Sequence, residues 1–177
     1  MQKHQLEHIV RAVCGITGED NIVIIGSQAI LASYPNNVLP DLLTQSIEAD
    51  VFYLKENSQE LTDLIDGTIG ELSIFQDTHG IYAHGIGKET AILPAGWEER
   101  LVKLSNINTS GYTALCLDPY DLCVSKLIAN PKKDIDYVKA LLATKLLDVC
   151  ELKKRLFTVE GFDEQKDIAL AVLNSSS

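Results

Sequence analysis

Two apolar segments indicate the architecture of this chain, Ile22-Val-Ile-Ile-Gly26-Ser27-Gln28-Ala29-Ile30-Leu31 and Ser46-Ile47-Glu48-Ala49-Asp50-Val51-Phe52. The first is a short β-type run that ends at Gly-Ser and continues into a helix-compatible segment. The second is another apolar run, and it carries carboxylates at positions i and i+2. We therefore predict a strand, a tight turn and a helix, followed by a second strand with an acidic face.

The two acids of the second segment should lie side by side. Successive residues of a strand point to opposite faces, so Glu48 and Asp50 share one face while their apolar neighbours take the other. Two carboxylates held close together repel each other unless a cation lies between them. Gly26 lets the backbone approach a ligand closely, and the N–H groups that begin the next helix can bind an anion. This combination predicts a phosphate site beside a divalent metal ion, the outline of a nucleotidyl-transfer site.

Each feature also has a purely structural interpretation. Gly26-Ser27 alone could be an ordinary turn in which Ser27 caps the following helix. Glu48 and Asp50 could form the solvent-facing edge of a half-buried strand. The occurrence of both features in this order favours the functional interpretation of the acidic pair.

The order of strand, Gly-Ser turn, helix and acid-x-acid strand resembles the DNA polymerase β-like nucleotidyltransferase superfamily. The resemblance implies that Gly26 and Ser27 hold the triphosphate of a nucleotide and that Glu48 and Asp50 bind Mg²⁺. The usual acidic motif of the superfamily is Asp-x-Asp, so Glu48-Ala49-Asp50 departs from it while keeping both charges. A third carboxylate on a later strand of the superfamily commonly acts as the base for the attacking hydroxyl.

His84 is the candidate for that third position. The strand Gly80-Ile-Tyr-Ala-His84-Gly-Ile86 contains no Asp or Glu, and we expect it to lie beside the acidic strand with His84 on the site face. The imidazole could accept a proton from the acceptor or ligate a metal ion. It could equally be a half-buried packing residue, in an enzyme that needs only two acids or in a protein that has lost activity.

Later segments extend the resemblance. Gly87-Lys-Glu-Thr-Ala-Ile-Leu-Pro-Ala-Gly-Trp-Glu-Glu-Arg100 looks like a subgroup of uncharacterised bacterial members. Asp121-Leu-Cys-Val-Ser-Lys126-Leu-Ile-Ala and Lys132-Lys133-Asp134-Ile-Asp136 are similar to the helical motif of AbiEii-type toxins from abortive-infection and toxin–antitoxin systems. This similarity implies that Lys126 reaches a phosphate and that Asp134 orients the lysine or assists proton transfer. The structural alternatives are a surface lysine and an acid favoured by a helix N-terminus.

Size and charge limit the class of protein. A chain of 177 residues is most simply one domain, and its net charge of −10 argues against a general nucleic-acid-binding surface. A small basic patch formed by Lys126, Lys132 and Lys133 remains compatible with that charge. We expect no membrane span, because no apolar run reaches about 18 residues, and no signal peptide. The four scattered cysteines favour a reducing cytoplasm and make structural zinc improbable.

We predict an α+β fold with a small mixed nucleotidyltransferase-type sheet flanked by helices. Residues 1–117 should form the α/β core, and residues 118–173 a helical part packed on it as one compact unit. Asp118-Pro119 begins the helical part, as an N-cap followed by proline at the first helical position. The predicted strands are 21–25, 47–54, 80–86, 90–93, 98–104 and 112–117, and helices are predicted over 2–17, 27–33, 59–65 and most of the C-terminal part.

The chain is thus predicted to transfer a nucleoside monophosphate from a nucleoside triphosphate, with Mg²⁺ as cofactor. The AbiEii-type similarity points to a tRNA end or a protein side chain as acceptor, and to a cognate antitoxin or toxin as partner. The alternatives are a catalytically inactive regulatory or partner-binding module and a plain interaction domain. The expected site comprises the catalytic residues Glu48, Asp50, His84 and Asp134 and the nucleotide-binding residues Gly26, Ser27 and Lys126.

Overall fold

The computed structural model describes residues 1–55, 58–129 and 131–175, with the backbone alone for residues 131–133. Helix α1 (Lys3–Thr17) opens the chain and packs against the first strand of the sheet and against helix α3. It ends at Gly18, whose φ of 72° suits glycine and whose N–H donates to the Cys14 carbonyl. Its buried face consists of residues at helical spacing, Leu6, Ile9, Val10 and Val13.

Five strands form one mixed sheet in the order β3-β2-β1-β5-β4. The pairs β2–β3 and β1–β5 are parallel, whereas β1–β2 and β4–β5 are antiparallel. The predicted mixed sheet flanked by helices is therefore confirmed. The strands are β1 (Asn21–Ile24), β2 (Glu48–Phe52), β3 (Tyr82–Gly85), β4 (Val102–Leu104) and β5 (Thr113–Cys116).

Short helical segments connect the strands, and longer helices form the C-terminal part. The connections contain 3₁₀ turns at Ser27–Ala29, Asn36–Val38, Asp41–Thr44, Lys88–Thr90, Trp97–Arg100 and Ile107–Thr109. The α-helices after α1 are α2 (Ile30–Ser33), α3 (Gln59–Ile69), α4 (Ile74–His79), α5 (Pro119–Ala129), α6 (Pro131–Ala143), α7 (Val149–Leu156) and α8 (Asp163–Ser175).

Helix α5 connects the sheet to the C-terminal helices. The Asp118 carboxylate accepts hydrogen bonds from the N–H groups of Tyr120 and Asp121 at 2.9 and 3.4 Å, which confirms the predicted cap. Helices α6, α7 and α8 all pack on α5, which itself packs on α2 and on the Ser27–Ala29 turn. The C-terminal helices are thereby held next to the Gly-Ser turn.

A buried ion-pair network fixes α5 against its neighbours. Asp121 is fully buried and accepts two hydrogen bonds from Arg100, at 2.8 and 3.1 Å, and one from Arg155 at 3.0 Å. Arg155 also donates to Asp118 at 2.6 Å. Because Arg100 precedes β4 and Arg155 lies on α7, this network joins three separate parts of the chain. The charge of Arg100 therefore has a structural role.

Several predicted elements were wrong or misplaced. Residues 90–93 form no strand: the chain leaves a 3₁₀ turn there and packs irregularly against the core, with Pro94 next in sequence and unable to donate to a ladder. Only Val102–Leu104 of the predicted strand 98–104 is extended, because Arg100 turns towards Asp121 in a 3₁₀ segment. Helix α3 continues to Ile69, and the predicted helix over 27–33 consists of a 3₁₀ turn followed by the four-residue α2.

One cluster of buried apolar residues runs through the sheet and the C-terminal helices alike. It includes Cys116 and Cys123, and burial raises the pKa of each thiol to about 12. The division into a core and a helical part at residue 117 stays a prediction. Within the part of the chain that the structure describes, no helix has the length and apolar character needed to cross a membrane.

Candidate active site

The acidic pair lies on the central part of the sheet, on β2. Ala49 and Val51 are fully buried, whereas the side chains of Glu48 and Asp50 keep 34% and 30% of their surface exposed. The predicted alternation of the strand is therefore confirmed. Both carboxylates emerge on the same face because they stand two residues apart on an extended backbone.

His84 joins the two acids across the β2–β3 pair. The strands run parallel, and His84 is the register partner of Asp50, as Tyr82 is of Glu48. The Nδ1 atom of His84 lies 3.1 Å from Glu48 Oε1 and 3.6 Å from Asp50 Oδ1. The expected placement of this strand beside the acidic strand, with His84 on the site face, is confirmed.

The surroundings of the two acids raise their pKa values. Burial raises the pKa of Glu48, and the charge of Asp50 adds to the rise, while His84 opposes it. Burial also raises the pKa of Asp50, with His84 and then Lys126 lowering it in part. For both acids the main cause is burial, which disfavours the charged form. A bound cation would favour the charged form.

Gly26 lies directly against this cluster. A Cβ atom at this position would be 1.8 Å from Asp50 Oδ2, well inside any permitted contact. The φ of Gly26 is −71°, so the glycine is required for space and not for an unusual backbone conformation. The group that lies against the backbone here is the Asp50 carboxylate, and the approach of a ligand to Gly26 stays a prediction.

Lys126 and Asp134 reach the same cleft from the C-terminal helices. Lys126 Nζ donates to Asp134 Oδ1 at 3.1 Å and lies 4.5 Å from the centre of the Tyr137 ring. The Tyr137 hydroxyl in turn donates to the Ser27 carbonyl at 3.0 Å. These contacts connect the Gly-Ser turn to α5 and α6. They also hold the lysine, whose side chain is only 14% exposed, in one position.

A cavity of about 230 Å³ collects most of these groups. Five predicted site residues line it, and its apolar lining comes from α5 and from the segments that follow β1 and β3. A second cavity, of about 220 Å³, shares His84 with the first but extends towards Glu48 and Tyr82 at the other end of the β2–β3 pair. The predicted residues that line the first cavity are Gly26, Asp50, His84, Lys126 and Asp134.

Ser27 is the predicted residue with the least support. The chain after Gly26 forms a three-residue 3₁₀ turn, in which the cap position belongs to Gly26 and carries no side-chain cap bond. The structural alternative, in which Ser27 caps a helix, is therefore wrong, and nucleotide binding by Ser27 stays a prediction. Such a short turn also has little of the dipole that a long helix offers to an anion. Lys132 and Lys133, the other predicted cations, have side chains outside the described part of the structure.

Two further residues of the site were missed at the sequence level. Tyr137 follows Asp134 by three residues, so helical spacing was the signal that could have placed both on one face of α6. Asp66 of α3 accepts a hydrogen bond from the Gly85 N–H at 2.7 Å and so fixes the end of β3 next to His84. No local pattern in the sequence identifies that contact.

The other candidate groups lie elsewhere. Trp97 packs 6.0 Å from the Phe52 ring, ring centre to ring centre, as expected of a packing aromatic. His4, His8 and His79 line a separate cavity with Arg11. Among the described residues, the one group of three or more His, Cys, Asp or Glu side chains arranged to hold a metal ion is Glu48, Asp50 and His84, whose ligand atoms lie within 4.8 Å of one another. The donor set fits a divalent cation.

Comparison with known proteins agrees with this geometry. The model of a family described as nucleotidyltransferase of unknown function (DUF6036) matches residues 4–172. The match covers every strand of the sheet and both helices that supply Lys126 and Asp134. No curated protein and no solved structure gives a significant match to the chain.

Proposed function

We propose that this chain, which belongs to the nucleotidyltransferase family whose model matches it, is an active metal-dependent nucleotidyltransferase. The observation that carries the proposal is the convergence of Glu48, Asp50 and His84 with Gly26 and Lys126 around one cleft. Two partly buried acids with raised pKa values are a costly arrangement unless they serve a cation. The lysine on the opposite wall supplies the positive charge that a phosphate needs.

The nucleoside triphosphate would bind in the cavity between Gly26 and Lys126. Lys126 would contact a phosphate oxygen, and Asp134 would position the lysine through their 3.1 Å hydrogen bond. A divalent cation held by Glu48 and Asp50 would neutralise charge on the transferring phosphoryl group. The apolar side chains from α5 and from the segments after β1 and β3 would pack against the rest of the nucleotide.

Transfer would require an acceptor oxygen or nitrogen on the other side of the acidic cluster. That atom would attack the α-phosphorus, the bond between the α- and β-phosphates would break, and pyrophosphate would leave. The acceptor's proton would pass to a nearby base or to water. The cavity at Glu48, Asp66, Glu71, Tyr82 and His84 offers space for the acceptor, and none of the described residues lining it is Lys or Arg.

This lining supports a protein side chain over a tRNA end as acceptor. Carboxylates repel the phosphates of a nucleic acid, whereas a neutral or positively charged acceptor meets no such barrier. The net charge of −10 acts in the same direction. We further propose a cytoplasmic protein that works with a cognate antitoxin or toxin, as the AbiEii-type similarity of Lys126 and Asp134 suggests.

The second candidate function is an inactive regulatory module of the same family. It is favoured by one observation, that His84 stands beside Asp50 where a third carboxylate is expected. Such a module would bind nucleotide and metal without transferring anything.

Two measurements test these proposals in order. Thermal shift with each of the four nucleoside triphosphates, with and without divalent ions, should show stabilisation that needs both ligands. Incubation of the protein with α-labelled nucleotide and cell extract should then label a protein band or an RNA band. Label that depends on Asp50 supports the enzyme. Metal-dependent nucleotide binding without label supports the inactive module, and the absence of any ligand response contradicts both.

A further inference from the structure

We infer that His84 is the third protein ligand of the metal ion, and that the site therefore selects a transition ion such as Mn²⁺ or Co²⁺ over Mg²⁺. The inference deepens the proposed function by identifying the ion class of its metal site. The role of the ion in transfer rests on the proposed function. The binding of the ion does not, because it can be measured without any transfer.

The interatomic distances match those of ligands around one ion. Two donor atoms that bind an ion at about 2.1 Å are about 3.0 Å apart at a right angle and about 3.4 Å apart at a tetrahedral angle. The observed separations from His84 Nδ1 are 3.1 Å to Glu48 and 3.6 Å to Asp50. Both distances from the imidazole are therefore close to the spacing of adjacent ligands, and all three ligand atoms lie within 4.8 Å of one another.

The backbone around His84 holds this arrangement. Ala83 is fully buried, and a Cβ at Gly85 would be 2.4 Å from the Thr62 carbonyl, so β3 is packed tightly against α3. The Asp66 carboxylate also accepts a hydrogen bond from the Gly85 N–H at 2.7 Å. The burial of Ala83 and the close approach of Gly85 to Thr62 lie on the face of the strand opposite His84, and the imidazole faces the acids. Its side chain is 48% exposed, which leaves open positions for water or nucleotide oxygens.

The donor set determines which ion is preferred. Mg²⁺ favours oxygen ligands in near-octahedral geometry, whereas imidazole nitrogen favours first-row transition ions, with affinity rising from Mn²⁺ through Co²⁺. A set of two carboxylates and one imidazole keeps enough oxygen character to bind Mg²⁺ weakly. Replacing the superfamily's third carboxylate with histidine therefore changes ion preference and not only basicity.

A second arrangement of the same side chains, without a metal ion, has the same distances. An imidazole that donated its Nδ1–H to Glu48 would show the same distance of 3.1 Å, which is within the usual hydrogen-bond range. In that arrangement a metal ion would have to displace the hydrogen bond. The two arrangements differ in whether the histidine nitrogen is bonded to the ion.

The test measures ion binding in the absence of nucleotide. Calorimetric titration of the full chain with Mg²⁺, Mn²⁺ and Co²⁺ should give a preference for Co²⁺ over Mg²⁺ of at least about tenfold. Electron-spin-echo spectroscopy of bound Mn²⁺ should detect coupling to a nitrogen nucleus. In His84→Asp the nitrogen coupling should disappear, and the ratio of Co²⁺ affinity to Mg²⁺ affinity should fall by at least about tenfold. His84→Asn serves as a second variant if three acids prevent folding.

His79→Ala is the matched control, because His79 is an exposed histidine in the separate cavity with His4 and His8. It should keep both the nitrogen coupling and the ion preference. A wild-type protein without nitrogen coupling, or an ion preference unchanged in His84→Asp, would overturn the ligand assignment. If transfer occurs with either of these results, the proposed function stands and only this inference fails. If nitrogen coupling is found but no transfer occurs, the ligand assignment stands and the proposed function fails.

Discussion

Asp50 occupies the space that a side chain at position 26 would need, since a Cβ on Gly26 would lie 1.8 Å from Asp50 Oδ2. The Gly-Ser turn and the acidic strand are therefore in direct contact. The absence of a side chain at Gly26 allows the Asp50 carboxylate to lie where it does.

Gly26→Ala should separate metal binding from stability. The new methyl group meets the mobile end of Asp50 and would push its carboxylate away from Glu48, so metal affinity should fall by at least about tenfold while stability falls by about 1–3 kcal/mol. Calorimetric ion titration and urea unfolding measure the two effects. Gly15→Ala is the control, because a Cβ there meets nothing within 4 Å and should stabilise α1 by about 0.5–1 kcal/mol. Unaltered metal affinity in Gly26→Ala would show that Asp50 is not a ligand.

Asp50→Asn should raise the melting temperature of the metal-free protein by about 1–4 °C near neutral pH. The pKa values of Glu48 and Asp50 are raised in the fold, so protonation favours folding. Their stabilising contribution is complete below about pH 4 and is lost as the pH rises through the raised values. The advantage of the variant should thus grow between pH 4.5 and 7.5 in thermal scans without metal, while its metal-dependent nucleotide response disappears. Unfolding of Asp50→Asn would instead show that the pair is structural.

Lys126 and Asp134 should act as a coupled pair in nucleotide binding. Lys126→Met removes the charge that would contact phosphate and should weaken binding about tenfold or more, since hydrogen bonds to charged groups contribute about 1.5–3 kcal/mol. Asp134→Asn should weaken it less, and the double variant should be no worse than Lys126→Met. Calorimetry with a non-hydrolysable triphosphate analogue measures the cycle, with the exposed Lys103→Met as control. Additive losses would mean that Asp134 acts independently of the lysine.

Asp121→Ala should destabilise the protein by about 3–5 kcal/mol in urea unfolding, because Arg100 and Arg155 lose their buried partner. Glu151→Ala removes a partly exposed partner of the same Arg155 and should destabilise the protein much less, because solvent screens that ion pair. An equal loss of stability in the two variants would show that the burial of Asp121 does not strengthen its ion pairs.

The sequence predicts the local features of this site well. Alternation along β2 puts Glu48 and Asp50 on one face, and it does the same for His84 on β3, because strand periodicity depends only on neighbouring residues. The helix start at Asp118-Pro119 is equally local. Family resemblance was needed to expect that β3 pairs with β2, since α3 and α4 separate the two strands in the chain.

Contacts between distant residues could not be predicted in the same way. The hydrogen bonds of Tyr137 to Ser27 and of Asp66 to Gly85 depend on how helices settle on the sheet. The segment 90–93 has the composition of a strand, but β3 lies at one edge of the sheet and β4 at the other, and this segment joins neither. Propensity was overridden by packing there.

The hydrogen bond between Tyr137 and Ser27 spans 110 positions of the chain and has a consequence for biosynthesis. Translation produces Gly26 and the acidic cluster early, but Lys126 and Asp134 only with α5 and α6. A growing chain therefore carries the proposed metal ligands before it carries the lysine proposed to contact phosphate. Under the proposed function, nucleotide binding would begin only when α5 and α6 have docked on the sheet, and an incomplete chain would lack this contact.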